Sequence, residues 1–317
     1  MKGRVKIAYA NEKGHLEAFC KNGVLQGFYR KYDDKKRLTH FGTFLDGRPY
    51  GVNWQLVNDG GIVVGFVDDD GELSGEDIVF LYPDMKTAFM GLFCKGHLVQ
   101  AQSTTLEYVH QDQGLLVPFF NDPAGPIYRR DISNFETVTQ DPLLPDPYES
   151  SIVDVRPSRV EGANDGLFAK RDVTPGTILA FYNGIRRQPK SGFTKADWVA
   201  SGYRIEDPTR KKGSLDIPEE YRNLKNYCAT LAHKTNHSFL PSAEFEDFVH
   251  PRFGLIPCVT ASQCIKKDEE IFIHYGYTLN HCPDWYEAAY SNEQYPVPEY
   301  FKDWQDAVKA KIESPPS

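Results

Sequence analysis

Several features that would point to a function are missing from this 317-residue sequence. Its six cysteines form no C-x-x-C pair and no ligand-spaced cluster, and they stand at positions 20, 94, 228, 258, 264 and 282. This pattern is typical of reduced thiols in an intracellular protein, so we expect no metal site. No stretch approaches the roughly 18 apolar residues of a membrane-spanning helix, and the start lacks an apolar signal region. We therefore expect no membrane association.

Positive charge is also in short supply. The formal net charge is −8, so direct binding to nucleic acid is not expected. An acidic surface suits instead a partner peptide rich in lysine and arginine. The length predicts two domains, each with an apolar core of its own, and the second is expected to fold without the first.

Glycine, by contrast, recurs with a fixed period over the first hundred residues. Pairs stand at 23 and 27, at 47 and 51, and at 71 and 75, and the series ends with Gly96 and Gln100. A period of this size indicates one supersecondary unit stacked on copies of itself. Because glycine takes positive φ freely, each pair predicts the corner of a β-hairpin between short apolar strands.

Two short polar segments carry the strongest functional signal. The first is His233-Lys-Thr-Asn-His-Ser-Phe239, and the second is Asp268-Glu-Glu-Ile-Phe-Ile-His-Tyr-Gly-Tyr277. Upstream stand Gly166-Leu-Phe168 and Phe181-Tyr-Asn-Gly184. A buried strand that ends in two phenols is a common way to aim polar groups into a pocket. Between these motifs, the spacing of apolar residues after Pro218 predicts a helix from Pro218 to Ala232.

In type and order, the four motifs resemble the SET domain of protein-lysine methyltransferases, whose Asn-His-Ser segment threads past a tyrosine-bearing segment in a pseudoknot. The glycine repeats resemble MORN repeats, and Leu143-Leu-Pro-Asp-Pro-Tyr-Glu149 is similar to the linker of the family that combines both domains. The resemblance implies a mainly β fold. Its parts would be a hairpin sheet of MORN repeats at 1–100, a β extension with a proline-rich linker at 101–150, a pseudoknotted SET domain at 151–278, and a C-terminal segment with a helix at 279–317.

The resemblance also implies an activity. It predicts a monomeric chromatin regulator of nucleus and cytoplasm that uses S-adenosyl-L-methionine to methylate lysine in histone or other protein tails. A SET fold without turnover, which binds partners through its peptide groove or its repeats, stays open as the alternative. For the repeats themselves, a rigid spacer and a lipid- or partner-binding surface are both open.

Individual residues receive roles from the same resemblance. Tyr275 takes the catalytic position, and Tyr182 hydrogen-bonds the substrate amine. The implied cofactor-binding residues are Ala163, Asn164, Asp165, Asn236, His237 and Trp285, and the implied substrate-binding residues are Phe245, Tyr277 and Trp198. Phenols suit the reaction because they align a neutral amine without stabilising the ammonium, as a carboxylate would.

Some of these assignments have rivals. Tyr300 or Trp304 competes with Trp285 as the aromatic that covers the cofactor, and a structural role competes with cofactor binding for His237. A nucleophilic pair of Cys228 and His233 is also open. The chain departs from the family at four positions: Asn164 and Asp165 in the cofactor loop, Ser242 in place of an asparagine, and Phe245 in place of a second channel tyrosine.

Overall fold

The computed structural model describes residues 2–8, 14–57, 60–112, 115–188, 202–211, 213–277 and 282–291. These residues form a mainly β protein with an antiparallel hairpin sheet at its N-terminus, which confirms the predicted fold class. The chain divides into two compact units. The first comprises Met1–Ser133 with Asp247–Ile256, and the second comprises Asn134–Glu246 with Pro257–Ser317.

The described strands of the first unit's N-terminal part form one antiparallel sheet of eleven strands. Each strand pairs with the next along the chain up to β10, and β11 pairs with β9. Their bounds are β1 (Lys2–Ala8), β2 (His15–Lys21), β3 (Val24–Tyr32), β4 (Leu38–Leu45), β5 (Arg48–Leu56), β6 (Ile62–Phe66), β7 (Gly75–Leu81), β8 (Thr87–Cys94), β9 (His97–Asp112), β10 (Leu115–Phe120) and β11 (Ala124–Arg129).

The glycine pairs lie at the hairpin corners, as their spacing predicts. The turn between β2 and β3 has positive φ at both central residues, 54° at Asn22 and 83° at Gly23. This is the geometry of a type I′ turn, whose twist matches that of the flanking strands. The second glycine, Gly27, has a φ of 72° and begins a β-bulge at which the register with β2 shifts. The same two features recur at 46–47 and at 51.

The core of this sheet includes a cluster of six buried residues on neighbouring strands: Val52, Trp54, Val64, Val79, Leu81 and Ala88. The Trp54 indole N–H donates a hydrogen bond to the Leu116 carbonyl at 2.9 Å. The largest apolar side chain of the cluster therefore buries its ring without leaving its one polar group unsatisfied.

Residues 247–256 give the first unit a second group of buried side chains. Arg252, Phe248 and Phe253 are fully buried, and the Arg252 guanidinium lies 5.2 Å from the centre of the Tyr128 ring. The backbone N–H of Asp131 donates to the Arg252 carbonyl at 2.8 Å. A segment far along the sequence is thus part of the unit that carries the repeats.

The second unit consists of short strands and turns. Described strands pair as β12 with β13, as β14–β20–β19, as β15–β17–β16, and as β18 with β21. Their bounds are β12 (Val153–Pro157), β13 (Asp165–Ala169), β14 (Ile178–Phe181), β15 (Ile185–Arg187), β16 (Arg204–Glu206), β17 (Ser214–Asp216), β18 (Asn236–His237), β19 (Ala243–His250), β20 (Gly254–Ala261) and β21 (Phe272–Ile273). The tip of the β19–β20 hairpin is the segment that belongs to the first unit.

Two α-helices are described, α1 (Pro147–Ile152) and α2 (Asp284–Ser291). Neither has the length or the run of apolar side chains that crossing a membrane would require. Helix α1 begins within the proline-rich stretch, where the buried Asp146 side chain accepts the backbone N–H groups of Tyr148 and Glu149 at 3.0 and 3.1 Å. This N-cap makes the stretch part of the second unit's core.

Glu149 of this helix is fully buried and connects two distant segments. Its Oε1 accepts the backbone N–H of Phe181 at 2.8 Å and that of Leu231 at 2.7 Å. Burial, with a smaller effect from Asp146, raises the pKa of the Glu149 carboxyl well above its usual range. One side chain thus joins the strand that precedes Tyr182 to the turn that precedes Asn236.

The predicted helix from Pro218 to Ala232 is wrong. Its start forms only a 3₁₀ turn, Glu219–Tyr221. The Asn223 side chain accepts the backbone N–H two residues ahead at 2.9 Å, a local bond that competes with helical pairing. Further on, the Cys228 N–H donates to the Pro142 carbonyl at 2.8 Å. A tertiary partner therefore replaces the helical one.

Candidate active site

The two polar segments meet through a parallel strand pair. Strand β18 pairs Asn236 with Phe272 and His237 with Ile273 of β21, and the Ser238 N–H donates to the Ile273 carbonyl at 3.0 Å. The Asn-His-Ser segment therefore lies directly beside the segment that ends in the two tyrosines. Ser242 contributes to the same pairing, because its hydroxyl accepts the Phe272 N–H at 3.1 Å.

Tyr182 and Tyr275 each donate a hydrogen bond to a backbone carbonyl. The Tyr275 hydroxyl donates to Thr235 at 2.9 Å, and the Tyr182 hydroxyl donates to Tyr203 at 2.6 Å. Burial is the main cause that raises the pKa of both phenols well above the usual tyrosine value. Both are therefore neutral near pH 7, and their oxygen lone pairs remain able to accept a hydrogen bond.

Charge close to these phenols is paired. Asp216 adds to the raised pKa of Tyr182, but its carboxylate lies 3.0 Å from the Arg204 guanidinium and 3.7 Å from that of Arg187. The carboxylate is thus engaged with two cations, and the phenols provide a polar but uncharged surface for an incoming amine.

Two further predicted residues lie against this pair. The Phe245 ring packs edge-on to Tyr182 with centres 6.2 Å apart, and the Tyr277 ring packs edge-on to Tyr275 at 5.8 Å. Phe248, an aromatic residue three positions further on that could also fill a channel wall, is fully buried within the first unit. Phe245 is therefore the better placed of the two to line a channel beside Tyr182.

The Asn236 side chain holds the predicted cofactor loop through hydrogen bonds. Its side-chain amide nitrogen lies 3.0 Å from the Ser158 hydroxyl, 2.9 Å from the Asp165 carbonyl and 3.0 Å from Oε1 of Glu270. Glu270 also accepts the Arg159 N–H at 2.8 Å. The asparagine side chain thus holds the loop, and it does so from a position where the sequence predicts a cofactor contact.

Gly166 allows this packing. A methyl group in place of its hydrogen would collide with the Glu270 carboxylate and would lie 3.3 Å from the Asn236 amide nitrogen. The strand that begins at Asp165 and the segment that precedes the two tyrosines approach each other at a distance that only glycine permits.

The loop residues themselves remain accessible. Asn164 is exposed, Ala163 is half-buried, and the Asn164 carbonyl accepts the Ser158 N–H at 3.2 Å. The Asp165 carboxylate lies 2.7 Å from the buried ammonium of Lys234. Its charge is therefore already paired with a lysine within the protein.

His237 presents a polar atom without a partner. Its Nδ1 accepts the Tyr275 backbone N–H at 3.1 Å, which places the hydrogen on Nε2. Burial, with a smaller contribution from His274, lowers the pKa of His237 to about 3. Nε2 is buried and has no hydrogen-bond partner among the described residues. The Trp285 ring lies 5.8 Å from the His237 ring and is 51% exposed.

Comparison with known proteins gives this arrangement a family. A model of the N-terminal domain of the histone H3 K4-specific methyltransferase SET7 matches residues 44–115, and the SET-domain model matches residues 164–276. Over 268 residues the chain is 34% identical to the histone-lysine N-methyltransferase SETD7 of Halocynthia roretzi. That match covers 81% of this chain and 69% of the relative.

The chain belongs to the SETD7 family of SET-domain lysine methyltransferases. The resemblance stated from the four motifs is thereby confirmed, and so is the predicted combination of an N-terminal repeat domain with a SET domain. Members of this family are S-adenosylmethionine-dependent protein-lysine methyltransferases.

Solved structures of other SET proteins are more distant. The polycomb repressive complex ctPRC2 bound to S-adenosylmethionine is 20% identical, with a TM-score of 0.30, and the match covers 47% of this chain and 18% of that one. KRYPTONITE in complex with DNA, an H3(1-15) peptide and SAH is 15% identical, with a TM-score of 0.29 and coverage of 42% and 25%. These similarities are too low to bear on the chemistry of this SET domain.

The residues of the SET domain fit the cofactor S-adenosylmethionine. The cofactor combines an aromatic adenine with a charged amino-acid end, and the site combines the exposed Trp285 indole, the unpartnered N–H of His237 and the exposed loop at Asn164. Indole suits the adenine, and N–H donors and loop backbone suit the polar end. Among the described residues, no three His, Cys, Asp or Glu side chains come close enough to hold a metal ion.

Three of the predicted aromatic residues cannot be placed, and two residues of the site were not predicted. Trp198, Tyr300 and Trp304 lie outside the described residues. Sequence reasoning passed over Glu270 and Lys234, although both stand inside the quoted motifs, because a polar side chain among polar neighbours gives no sign of its partner.

The electrostatic environment of Cys228 argues against the rival nucleophilic pair of Cys228 and His233. Burial raises the pKa of the Cys228 thiol. A raised pKa disfavours the thiolate that nucleophilic catalysis requires. Cys228 therefore lacks the activation that a catalytic cysteine needs.

Proposed function

We propose that this protein methylates lysine side chains in protein tails, histone tails among them, with Tyr275 and Tyr182 as its catalytic residues. The observation that carries the proposal is the pair of buried, neutral phenols whose hydroxyls are fixed by the carbonyls of Thr235 and Tyr203. We further propose that it acts as a monomeric chromatin regulator in nucleus and cytoplasm. The histone-directed activity named for its relative, and a net charge of −8 that suits basic tails, support this.

The substrate must lose a proton before it can react. The pKa of lysine is near 10.4 in water, so only about one side chain in 2,500 is neutral at pH 7. A site of neutral phenols and buried apolar surface disfavours the ammonium, because desolvation penalises the charged form of the amine. The pairing of Asp216 with Arg204 keeps a nearby carboxylate from opposing that effect.

The protein's own residues contribute by orienting the substrate amine. S-adenosylmethionine supplies an electrophilic methyl group when it is bound. The Tyr275 and Tyr182 oxygens accept the amine's hydrogens and thereby direct its lone pair, while the carbonyls of Thr235 and Tyr203 stop the phenols from rotating. Such orientation of two reactants is one of the larger sources of rate enhancement open to a protein.

The competing hypothesis is a SET fold without turnover. It rests on the departures in the cofactor loop and at Ser242 and Phe245. Ser242 still caps a backbone N–H of strand β21, and the loop keeps its bracing by Asn236. The departures therefore leave this framework in place, and the retained, buried phenols of Tyr182 and Tyr275 favour the enzyme over the alternative.

The test uses the Tyr275→Phe variant. Loss of one aligned hydroxyl from the transition state is expected to lower kcat about 100-fold or more. Binding of S-adenosylmethionine, measured by calorimetry, should change little, because Tyr275 is assigned to the amine. Methyl transfer is followed as label incorporated from the cofactor into a histone-tail peptide array. Near-normal turnover by the variant would overturn the assignment of Tyr275, and wild-type protein that binds cofactor but labels no peptide would favour the non-catalytic alternative.

A further inference from the structure

His274, the residue immediately before Tyr275, makes contacts through both of its ring nitrogens. Its Nδ1 accepts the backbone N–H of Gly276 at 3.0 Å. Its Nε2 lies 3.2 Å from the Tyr286 hydroxyl in helix α2. The ring centre lies 5.0 Å from that of His237. One imidazole thus touches the turn that presents both tyrosines and the helix that presents Trp285.

The first contact determines which nitrogen carries the hydrogen. Because Nδ1 accepts from Gly276, the neutral ring must hold its hydrogen on Nε2, which then donates to the Tyr286 hydroxyl oxygen. Burial lowers the pKa of His274 to about 4, which agrees with a neutral ring at physiological pH. Both bonds can therefore form at the same time in one tautomer.

Tyr286 is a buried anchor of helix α2. It is fully buried in a cluster with Phe239 and Cys282, against which Tyr277 and Tyr290 pack. Its neighbour Trp285 is half exposed, and the two rings pack edge-on with centres 5.6 Å apart. A change in the seat of Tyr286 therefore changes where the Trp285 ring lies relative to His237 and Tyr275, whose ring centres are 5.8 and 6.4 Å away.

We propose that His274 is a positioning residue that ties the turn Tyr275-Gly-Tyr277 to Tyr286 and so keeps Trp285 at the cofactor side of the site. The link between turn and helix stands on the two contacts alone. Its effect on cofactor affinity rests on the proposed function. The two parts can be tested separately.

Two single variants and their combination test the link. In His274→Asn the amide oxygen can take the place of Nδ1 and keep the Gly276 bond, but the shorter side chain cannot reach Tyr286. Tyr286→Phe breaks the same contact from the other side. We expect each variant to speed amide hydrogen exchange in residues 284–291 about five-fold, the effect of one net hydrogen bond. Exchange in the double variant should be no faster than in either single variant, because the two single variants remove the same hydrogen bond.

The matched control is Tyr148→Phe. Tyr148 is as fully buried as Tyr286 and donates its hydroxyl to the Ile178 carbonyl at 2.8 Å. This control also loses one buried hydrogen bond, and it should leave exchange in residues 284–291 at the wild-type rate relative to the rest of the second unit. Unchanged exchange in both single variants, or factors that multiply in the double variant, would overturn the link.

Cofactor binding supplies the second readout. Calorimetry with S-adenosylmethionine should show about five-fold weaker binding for His274→Asn and Tyr286→Phe, with a smaller fall in kcat at saturating cofactor. If exchange responds but affinity does not, the link exists and the positioning of Trp285 is refuted. If the wild-type protein binds no cofactor, the proposed function fails, and the exchange result still decides the link.

Discussion

Gly47 at a hairpin corner of the sheet and Gly166 at the site are glycine for different reasons. At Gly47 the backbone φ is 84°, and an added methyl would meet only a Val24 methyl at an ordinary 3.6 Å. At Gly166 an added methyl would collide with Glu270. The hairpin corner at Gly47 thus needs glycine for its backbone conformation, which is local and recurs with the repeats. The site needs it for space beside residues about a hundred positions away.

The largest expected effect concerns the separation of the two units. A fragment that starts at Asp131 leaves Phe248, Arg252 and Phe253 without the rest of the first unit, which buries them completely. Exposing the two phenylalanines should cost about 3–6 kcal/mol of unfolding free energy. Urea unfolding of the fragment measures this loss, and a fragment that starts at Gly14 and removes only β1 is the control. Equal midpoints for the Asp131 fragment and the full chain would show that the second unit folds independently, as the sequence alone predicts.

The next effect tests the need for space at the site. Gly166→Ala should weaken S-adenosylmethionine binding about ten-fold, because overpacking costs about 1–3 kcal/mol and displaces the braced loop. Gly3→Ala is the control, since its methyl would meet nothing within 4 Å. Calorimetry on both variants checks the prediction. Unaltered affinity in Gly166→Ala would mean that Glu270 moves aside without cost.

A smaller effect tests the need for a left-handed backbone conformation at the hairpin corner. Gly47→Ala should destabilise the first unit by about 1–2 kcal/mol, the cost of a left-handed conformation for an ordinary residue. Gly47→Asn should cost less, because asparagine tolerates that conformation. Neither should change kcat. Thermal unfolding of the three proteins ranks them, and equal losses for alanine and asparagine would contradict a conformational cause.

The smallest effect concerns the number of methyl groups added. Phe245 lies beside Tyr182 and lacks a hydroxyl. If it lines the channel, it offers an amine one hydrogen bond fewer than a tyrosine would and leaves it more room to rotate. We expect wild type to form dimethyl-lysine about five-fold more readily than Phe245→Tyr, the effect of one net hydrogen bond. Mass spectrometry of the product over time measures the ratio, with Phe28→Tyr on the exposed sheet as control. Strict monomethylation by both proteins would show that Phe245 does not set the size of the channel.

The sequence predicts the features that depend on adjacent residues and not those that depend on distant ones. The hairpin corner from Asn22 to Gly27 could be predicted from the spacing of the glycines, because it depends on a few adjacent residues. The four motifs predicted the SET domain and indicated Tyr182 and Tyr275 as candidate site residues. The bracing of the cofactor loop could not be read, because it joins Asn236 to Ser158 and Glu270 across 78 and 34 residues.

Local pattern failed where tertiary partners compete with it. The apolar spacing after Pro218 is helical, yet the Cys228 N–H bonds to Pro142 rather than within a helix. Residues 247–256 belong to the first unit although they lie far along the sequence. These residues follow Phe245 without a break in composition, so nothing in the sequence marks the transition.

Glu149 has a consequence for the thermodynamics of folding. Its carboxyl is ionised in the unfolded chain above its ordinary pKa, whereas burial keeps it protonated in the folded protein to a much higher pH. Between those two values folding takes up a proton from solvent at this residue. The stability that this group contributes is therefore complete below the unfolded pKa and declines as pH rises through that interval. Calorimetric folding enthalpies would then depend on the ionisation enthalpy of the buffer, which makes the bound proton directly countable.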